Sequence, residues 1–305
     1  MPDSRRCEAM LEILVIIPTV PRGNDPSAWT LTKTLHELSR RAGPAATPKA
    51  DVLVVNGAEP ADSHAECTGI VDRLERGEPS GLPVHVKSAV AERTRFERQV
   101  AARAHLTERA LSPWHRWAAG YCLDYALALR LARRSDAAYL LVIEDDVRPA
   151  DGWVGKVLRT AAPRLQRWPH PSFVALYSAD LSARYEAGAC AILYPNDERI
   201  DALADYIERR WDRGPLDHLL RDFAHEQRRP AFVLVPSLFE HVGDTSTQLP
   251  ARPNDAPAIR RSATFEAERD AAGASMLERA RIRTLRGKWW VQASWLRWRS
   301  ARSRP

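Results

Sequence analysis

The sequence predicts an α/β domain built on a mainly parallel, doubly wound sheet, and three observations predict it. Short β-branched apolar runs recur along the first half of the chain. Segments of helical period separate them, and loop-forming residues close each run. A strand that is apolar on both faces has to be covered on both faces, which a parallel sheet with crossover helices achieves.

Ile13–Thr19 is the first such run, closed by Pro18 and Pro21. A helix is expected from Trp29 to Arg40, and Asp51–Asn56 reads as a second buried strand ended by Gly57. Residues 58–81 are polar and mixed, with no clear period, and Pro83–Ser88 alternates as a short strand. Ser112–Arg134 is the best helix: Ser112 can cap it and Pro113 suits its first turn. Trp114, Trp117, Tyr121, Tyr125, Ala128 and Ala132 share one stripe of it. Ala138–Ile143 is a strand that runs straight into three acids. Phe173–Tyr177, Ala189–Tyr194 and Ala231–Val235 read as further strands, and Asp197–Arg210 and Leu216–Glu226 as helices.

Composition excludes several classes. The chain has 305 residues, 45% hydrophobic and 28% charged, an ordinary globular balance. Its net charge of +6 comes from one end: Arg279–Pro305 holds nine Lys or Arg and no acid, leaving 36 basic against 39 acidic residues elsewhere. The body is therefore no basic nucleic-acid surface. Cys7, Cys67, Cys122 and Cys190 form no Cys-x-x-Cys pair, which argues against a disulfide framework or a zinc site and fits a reducing, cytoplasmic setting. The apolar run Ile13–Ile17 is too short for a membrane span or a signal sequence.

The informative segment is Tyr139-Leu140-Leu141-Val142-Ile143-Glu144-Asp145-Asp146. Three carboxylates at the carboxyl end of a buried strand repel one another, and a cation relieves them unless some protonate. Ligands of open α/β sheets bind at that edge. A hard divalent ion holding a diphosphate is a natural occupant, because Mg²⁺ or Mn²⁺ takes one or two carboxylates plus phosphate oxygens. The same triplet is compatible with a solvated turn or a cap for a helix beginning near Asp151. Phosphatases and nucleotidyltransferases also put acids at strand ends. Asp217, in Gly214-Pro215-Leu216-Asp217, reads by itself as a first-turn acid favoured by the helix dipole. His241, in Pro236-Ser237-Leu238-Phe239-Glu240-His241-Val242-Gly243, is expected on a loop at a sheet edge, where imidazole can serve as structure or as a metal ligand.

Four blocks, in order, carry a resemblance. Ile17-Pro18-Thr19-Val20-Pro21-Arg22, Leu123-Asp124-Tyr125, Glu144-Asp145-Asp146, and the pair Pro215-Leu216-Asp217-x-Leu219-Leu220 with Pro236-Ser237-Leu238-Phe239-x-His241-Val242-Gly243 resemble the motifs of the N-acetylglucosaminyltransferase IV family, glycosyltransferase family 54. The likeness spans roughly residues 12–247. It departs from the family in Asp244-Thr245-Ser246-Thr247, and nothing after about residue 250 looks like the family's lectin-like module.

The resemblance implies a GT-A fold, a single Rossmann-like domain with a mainly parallel mixed sheet. It implies a metal-dependent inverting transfer of a sugar, N-acetylglucosamine as one candidate, from a UDP-sugar to a saccharide acceptor, and a lipid-linked acceptor is expected if the C-terminal segment associates with a membrane. Asp146 is then the first choice for the metal (Mn²⁺ or Mg²⁺), with His241 as a second contact. Glu144 and Asp145 orient the ribose, an adjacent loop or metal-bound water. Pro18, Thr19, Val20 and Arg22 form the nucleotide-side loop. Asp217 is the base. The competing readings are a non-catalytic relative that binds sugar nucleotides or glycans, and a metal-dependent nucleotidyltransferase.

The domain is expected to span residues 1–250, followed by a linker and a basic, Trp-rich segment over 251–305. There Ile282, Leu285, Trp289, Ala293 and Leu296 share a helical stripe among Arg residues. This pattern fits either an interfacial helix on the inner face of a membrane or a helix packed on the domain.

Overall fold

The computed structural model describes residues 11–20, 30–43, 49–58, 63–89, 113–167, 170–177, 189–242 and Phe265. Its frame is a mixed sheet of seven strands. These are β1 (Ile13–Thr19), β2 (Ala50–Asn56), β3 (Val84–Ser88), β4 (Tyr139–Ile143), β6 (Phe173–Ala175), β7 (Ala191–Pro195) and β8 (Ala231–Val233), in the order β3-β2-β1-β4-β7-β6-β8. Among the described residues only β7 is antiparallel to its neighbours, so the sheet is mainly parallel, as predicted. A separate two-stranded ribbon pairs β5 (Val147–Pro149) with β9 (Phe239–His241).

The helices are α1 (Leu31–Arg41), α2 (Ala65–Glu75), α3 (Pro113–Arg133), α4 (Trp153–Lys156), α5 (Ala162–Leu165), α6 (Glu198–Arg210) and α7 (Leu216–Glu226). One π-helical turn, Val157–Ala161, joins α4 to α5. Two cores result from the alternation along β1. Leu14 and Ile16 face one core with Tyr125 and Leu129 of α3, Ile200 and Leu203 of α6, and Leu219 of α7. Ile13, Val15 and Ile17 face the other, with Leu31 and Leu38 of α1, Ile70 of α2 and Trp153 of α4. Every residue of β1 is buried, which is why the strand reads as continuous apolar sequence. Removing one of these side chains loses both its transfer energy and its packing, about 2–5 kcal/mol for an Ile→Ala change.

Three elements differ from the reading of the sequence. Helix α2 occupies residues that show no clear period. Only Cys67 and Ile70 of it are buried, His64 gives it no side-chain cap, and Gly69 adds no side chain to its pattern. Its amphipathic stripe is too short to read, and packing between β2 and β3 places it. His241 closes a strand rather than lying on a loop, because the β5–β9 ribbon forms only when two segments about ninety residues apart meet. The helical run after Asp151 begins at Trp153, whose indole nitrogen donates to the Leu38 carbonyl at 3.0 Å. Cys67, Cys122 and Cys190 are free and buried, with no disulfide among the described residues. Among those residues no helix is long and apolar enough to cross a membrane. Phe265, beyond the expected boundary at residue 250, is buried in the second core. The basic Trp-rich segment over 276–298, Cys7 and Arg22 lie outside the described residues.

Candidate metal centre at the sheet switch point

The sheet order reverses direction between β1 and β4. At such a switch point the connections leave in opposite directions and open a crevice at the carboxyl ends of the strands. Thr19 ends β1 there, and Glu144-Asp145-Asp146 follows β4. The backbone of the acidic turn is pinned on three sides. The Glu144 amide donates to the Cys190 carbonyl at 3.0 Å, and the Val242 amide donates to the Asp146 carbonyl at 3.0 Å. The hydroxyl of buried Thr34, on α1, donates to the Asp145 carbonyl at 2.8 Å.

Pinned in this way, the three acids diverge. Asp145 turns toward β1, where the Thr19 hydroxyl donates to its Oδ2 at 2.6 Å. The Thr19 Oγ1 lies 3.1 Å from His64 Nε2. A hydroxyl has one proton, and here Asp145 takes it, so His64 is the donor to Thr19. Burial lowers the His64 pKa against the opposing charge of Glu66, which favours the neutral ring. Replacing Thr19 with the isosteric Val removes both bonds of a hydroxyl whose residue is only 4% exposed. Chemical denaturation of Thr19→Val is expected to show a loss of about 1–3 kcal/mol. Unchanged stability would show that this contact contributes nothing.

Glu144 and Asp146 turn the other way and meet His241. His241 Nε2 lies 2.9 Å from Glu144 Oε2 and 3.1 Å from Asp146 Oδ1. The register Val147↔His241 of the ribbon places the ring there, beside the last acid of the triplet. One ligand atom from each of the three residues lies within 4.8 Å of the others. Burial works to lower the His241 pKa, but the hydrogen bonds and charges of Asp146 and Glu144 outweigh it and raise the pKa to about 10. Two carboxylate oxygens and one imidazole nitrogen, converging from two chain segments, are a donor set that can hold a divalent cation once the ring gives up its proton. Three protein donors leave coordination positions for other oxygens.

One turn of α3 connects this cluster to Asp217. The Tyr121 hydroxyl donates to Glu144 Oε1 at 3.3 Å. Burial raises the Tyr121 pKa well above its ordinary value, and the Glu144 charge adds to this. The next residue, Cys122, has its sulfur 3.9 Å from the Gly214 carbonyl, in the loop that leads into α7. Its thiol is pushed up by burial and then by the negative charge of Asp217, which places Asp217 within electrostatic reach of that turn. Asp217 itself is half-buried in the first turn of α7, and its Oδ1 accepts from the His218 amide at 2.9 Å. Buried Leu216, Leu219 and Leu220 anchor that helix.

The structure therefore brings together Glu144, Asp146 and His241, and sets Asp145 with Thr19 on the β1 side. Pro18 lies within β1 and Val20 immediately after it. His64 and Tyr121 complete the surroundings without having been singled out in the sequence. Tyr121 carried a signal, since it lies on the α3 stripe directly before the acidic strand, whereas nothing local marks His64. Asp124 approaches the end of β2, where a side chain on Gly57 would meet its Oδ2 at 2.9 Å.

No protein-family model matches the chain, and no curated protein matches it. Solved structures with similar architecture include mouse xyloside xylosyltransferase 1, at 10% identity over 74% of this chain and 85% of that one, with a TM-score of 0.45. Another is 4-diphosphocytidyl-2C-methyl-D-erythritol synthase from Anaerococcus prevotii, at 8% identity over 78% and 92%, with a TM-score of 0.42. A third is S. aureus TarS (1–349), at 11% identity over 75% and 59%, with a TM-score of 0.41. At scores and identities this low, these likenesses carry no argument about the reaction or the residues of this chain.

Proposed function

We propose that this chain is a metal-dependent inverting glycosyltransferase that uses a nucleotide-sugar donor. One observation carries the proposal: Glu144, Asp146 and His241 converge at the carboxyl end of β4, beside the switch point of the sheet. These three residues would hold a divalent cation, Mn²⁺ or Mg²⁺. When bound, that ion supplies positive charge to a diphosphate leaving group.

The rest of the chemistry belongs to the chain. Asp145, fixed by Thr19, stays out of the cation cluster and faces the side where β1 ends, which suits contact with the nucleoside. Pro18, Thr19 and Val20, at the end of β1, would form that nucleotide side of the site. Asp217 is the base: its carboxylate takes the proton of the acceptor hydroxyl while that oxygen bonds to the anomeric carbon and the bond to the diphosphate breaks. Tyr121 contacts Glu144 of the cation cluster, and its neighbour Cys122 contacts the Gly214 carbonyl in the loop that leads to Asp217.

The resemblance to the N-acetylglucosaminyltransferase IV family selects UDP-N-acetylglucosamine as the first donor to try and a saccharide as acceptor, and the basic Trp-rich sequence over 276–298, read as an interfacial segment, adds a lipid-linked saccharide. The test is a panel of nucleotide sugars with Mn²⁺ or Mg²⁺, read by release of nucleoside diphosphate. Release that requires the cation supports the proposal. Pyrophosphate as the product would instead indicate nucleotidyl transfer, and cation-dependent binding without turnover a non-catalytic relative.

A further inference from the structure

The ribbon that delivers His241 is a weak element by itself. Each of its strands has three residues. An isolated two-stranded pairing is marginal in water, so its register has to be enforced from outside. Side chains alternate across such a ribbon, and directly opposed residues share a face. Val147, Pro149, Phe239 and His241 therefore lie on one face, and the pair Arg148↔Glu240 on the other. The first face has support: the Phe239 ring packs edge-on against Trp153 at 5.7 Å, and the Thr34 hydroxyl donates to the Val147 carbonyl at 3.3 Å.

The second face is an ion pair, Arg148 Nη2 to Glu240 Oε2 at 2.5 Å, in which the Glu240 side chain is completely buried. A buried carboxylate holds its partner firmly only while water is kept away. Phe265 supplies that cover. It is 2% exposed, and its ring centroid lies 5.2 Å from the Arg148 guanidinium carbon, within reach of a cation–π contact. It stands 24 residues beyond His241 in the chain and outside every block that carries the resemblance.

We propose that Phe265 is a positioning residue of the metal centre: it clamps the Arg148–Glu240 pair from behind and so fixes the ribbon register that sets His241 beside Glu144 and Asp146. The metal arm of this inference rests on the function proposed above, whereas the register arm does not.

The test uses the full chain as wild type, Phe265→Ala, Phe265→Leu and Arg148→Met. Hydrogen exchange, read by mass spectrometry, follows peptides covering 145–150 and 238–242 against peptides from β1 and β4. Phe265→Ala and Arg148→Met are expected to speed exchange in the ribbon about tenfold or more, as a locally opened unit does, and to leave β1 and β4 protected. Calorimetry with Mn²⁺ alone is expected to show about a tenfold loss of affinity in the same variants, the lower end of the effect of removing a residue that orients a ligand. Ribbon exchange that does not change in Phe265→Ala overturns the clamp, whatever the metal does. Wild type that takes up no Mn²⁺ overturns the metal reading and leaves the exchange result to decide the clamp. Should Phe265→Ala also expose β1 and β4, Phe265→Leu, which keeps the core filled but takes the ring away from the Arg148 guanidinium, decides: faster exchange confined to the ribbon supports the clamp, and none overturns it.

Discussion

Asp146→Ala is expected to lower the affinity for Mn²⁺ by at least about a hundredfold and to reduce cation-dependent release of nucleoside diphosphate by about a thousandfold, near background. Asp146 is 1% exposed and stands 3.1 Å from the imidazole that completes the donor set. Its loss removes a ligand and leaves one carboxylate and one ring, too few to hold a labile divalent ion against water. Asp145→Asn provides the contrast. Its carboxylate is turned to the Thr19 hydroxyl at 2.6 Å, so Mn²⁺ affinity should change little while donor affinity falls. Calorimetry with the ion alone and then with donor separates the two. Equal losses of Mn²⁺ affinity in both variants would mean that the acids act as a diffuse cluster, and full retention in Asp146→Ala would place the cation elsewhere.

Asp217→Asn is the second large expectation. The amide keeps the shape and the first-turn position but cannot take a proton, so kcat should drop by about 10²- to 10⁴-fold. Mn²⁺ affinity and donor KM should stay close to wild type, because Asp217 is not among the three residues whose donor atoms converge. The variant should also fold normally, since Leu216, Leu219 and Leu220 rather than Asp217 anchor α7. A kcat within threefold of wild type would remove Asp217 as the base. A parallel loss of Mn²⁺ affinity would mean that it supports the cluster instead.

The fold class was legible because its strongest elements are locally determined. β1 is buried on both faces, so Ile13–Ile17 are apolar without interruption, and Val52–Val55 of β2 and Leu140–Ile143 of β4 follow the same rule. α3 shows its stripe because Tyr125, Ala128 and Ala132 all reach the core. α2 was not legible, since two buried residues make no stripe and its cap carries no side-chain bond. The ribbon was not legible either, because strands of three residues leave almost no pattern and exist only in pairing.

For the site, the chain by itself determined that three carboxylates end a buried strand at the ligand-binding edge of a parallel sheet. That follows from periodicity and charge alone, because burying such acids without a counter-charge is costly. The roles of Asp146, Asp217 and His241 came from the resemblance of their motifs and not from periodicity or charge. Which acids work together was decided only in three dimensions. Thr19, arriving on β1, draws Asp145 aside, and the ribbon brings His241 to Glu144 and Asp146 across about ninety-five residues of chain. The physical reason is that a charged side chain adjacent to others in sequence has several rotamers open to it, and only partners supplied by distant strands and helices choose among them.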